Sequence, residues 1–92
     1  MIIISYDIAN DKLRTQFSKF IKKFGHRLQY SVFQITNSKR MLENIMCEIT
    51  DKFEKLFSET DSIILIETSE TCKITKWGYA KNEDSDIIVV EG

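Results

Sequence analysis

Residues Ile2 to Asp7 read IIISYD, three isoleucines, a serine and a tyrosine that run straight into a carboxylate. Alternate side chains of a strand point to opposite faces, so Ile2, Ile4 and Tyr6 fall on one face and Ile3, Ser5 and Asp7 on the other. Both faces carry isoleucine, which predicts a strand covered on both sides. An acid closing such a strand needs a reason, either in folding or in chemistry.

Outward from this strand, Asn10 or Asp11 can accept the orphan N–H groups of a helix start. Leu13, Phe17, Phe20, Ile21 and Phe24 then recur at helical spacing, and Gly25 is expected to end the helix as a left-handed cap. Arg27 to Ile35 alternates, with Leu28, Tyr30 and Val32 on one face and Gln29, Ser31, Phe33 and Ile35 on the other, as one bent strand or two short ones. Asn37-Ser38 offers a second cap before a helix carrying Leu42, Ile45, Met46, Ile49, Phe53, Leu56 and Phe57, which ends near Ser58. Strands follow at Ser62 to Glu67, at Cys72 to Trp77 and, beyond the polar turn KNEDSD, at Ile87 to Val90.

The order β-α-β-(β)-α-β-β-β predicts an α+β fold of the ferredoxin-like, split βαβ kind, a single domain over residues 1–92 with two helices on one face of a mostly antiparallel sheet. Two helices cover only one side, yet the first strand is apolar on both. A second copy meeting sheet to sheet about a two-fold axis is the economical cover, so a homodimer is expected. The surplus C-terminal strand, residues 79–92, reads as a tail that contacts the partner by strand addition.

Ninety-two residues bury roughly 60–70% of the surface of the unfolded chain, so the domain is modestly stable alone. No apolar run is long enough for a membrane span, and the first residues lack the basic region of a signal peptide, which predicts a soluble, cytoplasmic chain. Cys47 and Cys72 lie far apart without zinc-type or redox spacing and read as small, buried or half-buried thiols. The net charge of −1 conceals a polarity. Through Met41 eight basic residues face two acids, a formal +6, whereas from Leu42 onward five lysines face twelve acids, a formal −7. The first half can meet phosphate; the second would repel it and reads as a protein-contact surface.

In three places the chain resembles the small CRISPR-associated adaptation protein family, Cas two. These are Tyr6-Asp7-Ile8 closing the first strand, a helix with Lys12 and Arg14 in its first turns, and Gly25 leading into Gln29-Tyr30-Ser31-Val32-Phe33. The resemblance spans the whole chain. It implies a ferredoxin-like homodimer that joins dimers of the CRISPR integrase, Cas one, to capture duplex DNA and insert it as a spacer. It also implies a divalent-metal nuclease acting on RNA or duplex DNA, with Mg2+ at the aspartate that ends the first strand, here Asp7. The family often carries adjacent arginines early in the first helix; here Lys12 and Arg14 are separated by Leu13, which weakens any role for a bidentate guanidinium at Lys12.

If two copies pack through the open sheet face, Asp7 lies near its mate. Two carboxylates about 6 Å apart at an effective dielectric of about 20 repel by about 3 kcal/mol, so the pair takes up a proton or a cation. Magnesium suits oxygen ligands and can position a water against a phosphodiester. The competing role for Asp7 is to cap or stabilise the start of the first helix. Ser5, Ser31 and Phe33 share the expected dimer face, and Ser31 could orient a water or a phosphate. His26, the sole histidine, reads as an exposed imidazole.

The second candidate function rests on Lys12, Arg14, Lys19, Lys22, Lys23 and Arg27, a basic surface that dimer symmetry doubles and that contacts phosphates without reading bases. No aromatic stacking platform is evident on a polar strand face, which favours duplex backbone as the ligand. Trp77 and Tyr79 read as protein-interface residues. A ribonuclease toxin of the virulence-associated D family, which shares the fold, is the alternative identity.

Overall fold

The computed structural model describes residues 1–79. Within them five strands and two helices follow in the order β1 (Ile2–Asp7), α1 (Asp11–Lys22), β2 (Gly25–Gln29), β3 (Val32–Ile35), α2 (Lys39–Glu48), β4 (Ser62–Thr68) and β5 (Cys72–Gly78). Beyond α2 the chain winds on through a π-helical turn, Ile49–Phe53, and a 3-10 turn, Glu54–Leu56, so the second helical stretch ends where its apolar spacing predicts. The strands form one sheet in the order β2-β3-β1-β4-β5, and each neighbouring pair is antiparallel. β1 thus lies between two strands distant in sequence, which is the split βαβ arrangement expected of a ferredoxin-like fold, with β5 added at the edge. The strand expected at Ile87 to Val90 lies outside the described residues.

Register divides the residues between the faces as the isoleucine run predicts. Ile4 sits opposite Phe33 on one side and Leu65 on the other, and these three are buried with Ile2, Tyr6, Ile35, Ile63 and Trp77 beneath the helices. Phe17 of α1 is the hub of this layer, meeting Tyr6 and Phe53 edge to face with ring centroids 5.0 Å from each. Such geometry adds about 0.5–1.5 kcal/mol per pair beyond area burial. Trp77, expected at a protein interface, belongs to this core, its indole N–H donating to Thr50 Oγ1 at 2.9 Å.

The opposite face carries no helix among the described residues. It holds Ile3, Ser5 and Asp7 of β1, Val32 of β3, Ile64 and Ile66 of β4 and Ile74 of β5, with Ile3, Ile66 and Ile74 in one cross-strand row and Val32, Ser5 and Ile64 in the next. Five β-branched aliphatics are therefore grouped on a face that nothing in the chain's described residues covers.

Two local expectations need correction, and of the two readings open for Arg27 to Ile35 the two short strands are the one found. Gly25 is not a left-handed cap: α1 closes at Lys23 in right-handed geometry, and among the described residues the one glycine with positive φ is Gly78, at 75°. Gly25 instead opens β2 against β3 so closely that a Cβ there would lie 2.0 Å from the Gln34 carbonyl oxygen. Arg27 to Ile35 is a hairpin of two strands, with an irregularity between Arg27 and Gln29 that breaks the simple alternation. Cys47 and Cys72 are both exposed free thiols rather than buried ones. Cys47 Sγ donates to Asp51 Oδ2 at 3.2 Å, and this carboxylate, one helical turn away, pushes the thiol's pKa up and quenches its reactivity.

Candidate active site and nucleic-acid interface

Asp7 ends β1 on the uncovered face, exposed, opposite Ser62 of β4, which in turn sits opposite Gly78 of β5. It does not cap α1. Asn10 has the extended backbone of a cap residue, and its Oδ1 accepts the Leu13 N–H at 2.8 Å. The capping role that competed for Asp7 is thus filled by Asn10.

The loop between Asp7 and α1 is fixed from two sides. Arg14 Nη1 donates to the carbonyls of Ile8 and Ala9 at 3.0 and 3.3 Å, while Nη2 pairs with the Asp11 carboxylate. The Asp11 hydrogen bond, opposed by partial desolvation and assisted by Tyr30, holds the Arg14 pKa above the ordinary guanidinium value. From the other side Asp61, only 1% exposed, accepts the Ala9 N–H on Oδ1 and the Ser58 N–H on Oδ2, both at 2.9 Å. Burial alone would raise the Asp61 pKa, but the Ala9 and Ser58 amides, with the Ser58 hydroxyl, outweigh it and the net shift is downward. Asp61 was not singled out in the sequence. The one signal it offers there is its place directly before the apolar run of β4, where an acid must be either solvated or fully bonded.

Ser5 lies on the uncovered face as expected. Ser31 sits half-buried in the β2–β3 turn, its carbonyl accepting the Tyr6 N–H at 3.1 Å, so its backbone has a structural duty. Phe33 does not share that face. Its pairing with Ile4 turns it beneath the helices, where it is fully buried and stacks on Tyr6 at 6.2 Å, so it has no surface left for a partner. His26 is exposed on β2, as the sequence predicts.

Four of the six predicted basic residues converge. Arg14, Lys19 and Lys22 of α1 and Arg27 of β2 line one groove of about 260 Å³ with Tyr6, Thr15, Ser18 and Tyr30, and no carboxylate is among its lining residues. Arg27 is braced there: Nη2 donates to Ser18 Oγ at 2.7 Å, and the guanidinium lies 5.1 Å from the centre of the Phe33 ring. Lys12 instead lines a separate groove with Gln16, Phe57 and Asp61, on the other side of α1, and Lys23 caps the helix end outside both. Arg14 is engaged with Asp11 and the loop carbonyls, which leaves Lys19, Lys22 and Arg27 able to hold a phosphate by charge, with the Thr15 and Ser18 hydroxyls beside them.

A family model for CRISPR associated protein Cas2 matches residues 1–76. The chain belongs to the Cas2 family. A CRISPR-associated endoribonuclease Cas2 of Methanospirillum hungatei is 27% identical over 90 residues, covering 96% of this chain and 97% of the relative. One of Thermus thermophilus is 27% identical over 93 residues, 95% of each chain. One of Synechocystis is 34% identical over 64 residues, covering 68% of this chain and 65% of the relative. No solved structure matches the chain. Of the two families the sequence raised, the match favours Cas2 over the virulence-associated D toxins. It spans β1, the basic α1 and most of β5, so Asp7 and the whole basic groove fall inside the Cas2 match.

Among the described residues no group of three or more histidine, cysteine or acidic side chains is placed to hold a metal ion. Around Asp7 the described residues offer a single carboxylate with the hydroxyl of Ser62 as its cross-strand neighbour. That donor set is too small for a magnesium site built by one chain, but two copies of it, completed by water, fit a cation that keeps several waters.

Proposed function

We propose that the chain is a homodimeric CRISPR adaptation protein that binds nucleic acid through its α1–β2 grooves, and that it cleaves phosphodiesters at a site made by two Asp7 carboxylates. The observation that carries this reading is the uncovered sheet face. Ile3, Val32, Ile64, Ile66 and Ile74 form an aliphatic patch beside Asp7, and covering it with a second copy brings two Asp7 ends toward a shared axis. The relatives' description as endoribonucleases supports hydrolysis of a phosphodiester.

Within that reading each residue has a task. Asp7 of each protomer would hold the Mg2+, which supplies Lewis acidity and lowers the pKa of a bound water. Arg14 and Asp61 hold the loop that follows Asp7, and Asn10 leaves the Asp7 carboxylate unspent on the helix. The basic grooves hold the backbone of the nucleic acid. The acidic second half, with the segment from Ala80 onward, takes the protein contacts, of which the CRISPR integrase is the proposed partner. Trimming the chain after Lys81 is expected to disrupt dimer or integrase assembly; retention of both would remove the tail from the account.

Asp7→Ala tests the proposal directly. The change should leave thermal stability within about 0.5 kcal/mol of the parent, because Asp7 caps nothing and is exposed. Magnesium-dependent cleavage of labelled RNA and DNA should vanish. Full cleavage by the variant would refute the assignment, and normal spacer integration with lost cleavage would make the acid dispensable for the adaptor role.

A further inference from the structure

The groove between α1 and β2 holds more than a patch of charge. At its mouth, in the β2–β3 turn, Tyr30 is 69% exposed, the most exposed large apolar side chain among the described residues. Its hydroxyl interacts with Arg14, and the ring is left open to solvent inside a groove lined by cations. The turn's backbone is anchored to β1: the Tyr6 hydroxyl donates to the Tyr30 carbonyl at 3.4 Å, and the Tyr6 N–H donates to the Ser31 carbonyl at 3.1 Å. Beside the ring stand Lys19, Lys22 and Arg27, the last braced by Ser18 and Phe33 so that its guanidinium is oriented in advance.

The geometry points to a binding subsite for one unpaired nucleotide, its phosphate held by Lys19, Lys22 and Arg27 and its base stacked on Tyr30. The inference deepens the nucleic-acid reading above and rests on it. It also revises the ligand, because the sequence showed no stacking platform and favoured duplex backbone. A groove of about 260 Å³ lies just below the range of about 300–1,000 Å³ typical of pockets that enclose a small molecule. It admits one unit of a strand, whereas a duplex, its bases stacked and paired, presents only phosphates and would ride over the rim. Base stacking on an aromatic ring is tolerant of sequence, as every base has a π-face. The subsite therefore selects single-stranded segments, of RNA or DNA, without reading their sequence.

The test is fluorescence anisotropy at fixed salt with three labelled ligands of equal length: a single strand, its blunt duplex, and a strand of abasic sugars that keeps every phosphate. The parent protein should bind the single strand more tightly than the abasic strand. Tyr30→Ala should weaken single-strand binding by about 5- to 150-fold and leave abasic and duplex binding unchanged. Tyr30→Trp should keep the single-strand preference. Unaltered single-strand affinity in Tyr30→Ala would overturn the subsite, as would an equal loss on single strand and duplex. A parent protein that binds none of the three would overturn the nucleic-acid reading itself, and the subsite with it. The ring is exposed, and circular dichroism of Tyr30→Ala should match the parent.

Discussion

Two aspartates at one end of the β1–β4 pair show how differently one residue type can be used. Asp7 is exposed and its carboxylate has no partner among the described residues, whereas Asp61 is buried and accepts two backbone N–H groups from different loops. A hydrogen bond to an ionised group is worth about 1.5–3 kcal/mol, and leaving an amide unpaired adds a desolvation cost. Asp61→Asn keeps the shape but loses the charge and turns a donor toward one of the amides. It is expected to cost about 1–3 kcal/mol at pH 7 by urea denaturation. Because the folded-state pKa of Asp61 is depressed, its contribution is fully present above the ordinary carboxylate value of about 3.9 and is lost as pH falls through the lower, folded value. The difference between parent and Asp61→Asn should therefore shrink below about pH 4. A gap that stays constant down to about pH 2 would show that shape, not charge, is what the loop uses.

The elements were largely legible in the sequence, and the departures have physical causes. β1, the Asn10 and Ser38 caps, both helices and β4 lie where the apolar spacing and capping residues put them, because these signals are local. Phe33 was misread because the face of a β3 side chain is set by its pairing with β1, a contact nearly thirty residues away that alternation within Arg27 to Ile35 cannot report. Gly25 was misread for a similar reason: a glycine after a helix suggests a left-handed cap, but this one is required by the backbone of Gln34 across the hairpin. Gly25→Ala should accordingly destabilise the fold by about 1–3 kcal/mol, well beyond the effect of relieving glycine's flexibility. A neutral or stabilised variant in thermal melts would contradict the close approach of Gly25 to the Gln34 backbone. In the groove that β2 forms with α1, phosphate contacts release counterions, so Lys22→Gln should lower the salt slope of single-strand binding by somewhat under one. Lys12→Gln, on the other side of α1, should lower it less. Equal effects of the two would mean that charge acts across the whole helix and not within the groove.

At the scale of the whole molecule the open question of the first strand has an answer. IIISYD is apolar on both faces because one lies under the helices and the other joins an aliphatic patch with Val32, Ile64, Ile66 and Ile74. The sequence disclosed the patch only in β1; its extension across β4 and β5 needed the register. It likewise disclosed the charge polarity, which the fold turns into a basic groove at one edge of the sheet, and it could not disclose Asp61 or Tyr30, whose roles depend on loops brought together by folding. The central claim is that two copies are needed to build one site. Ile66 carries the most direct test, since it lies on the patch two residues along β4 from Ile64 and away from Asp7 in the register. With folding verified by circular dichroism and a monomer verified by sedimentation, magnesium-dependent cleavage of labelled RNA by Ile66→Glu is the deciding measurement. The monomeric variant should cleave nothing although Asp7, Arg14 and the basic groove are intact; a monomer that cleaves at the parent rate would contradict a site shared by two copies.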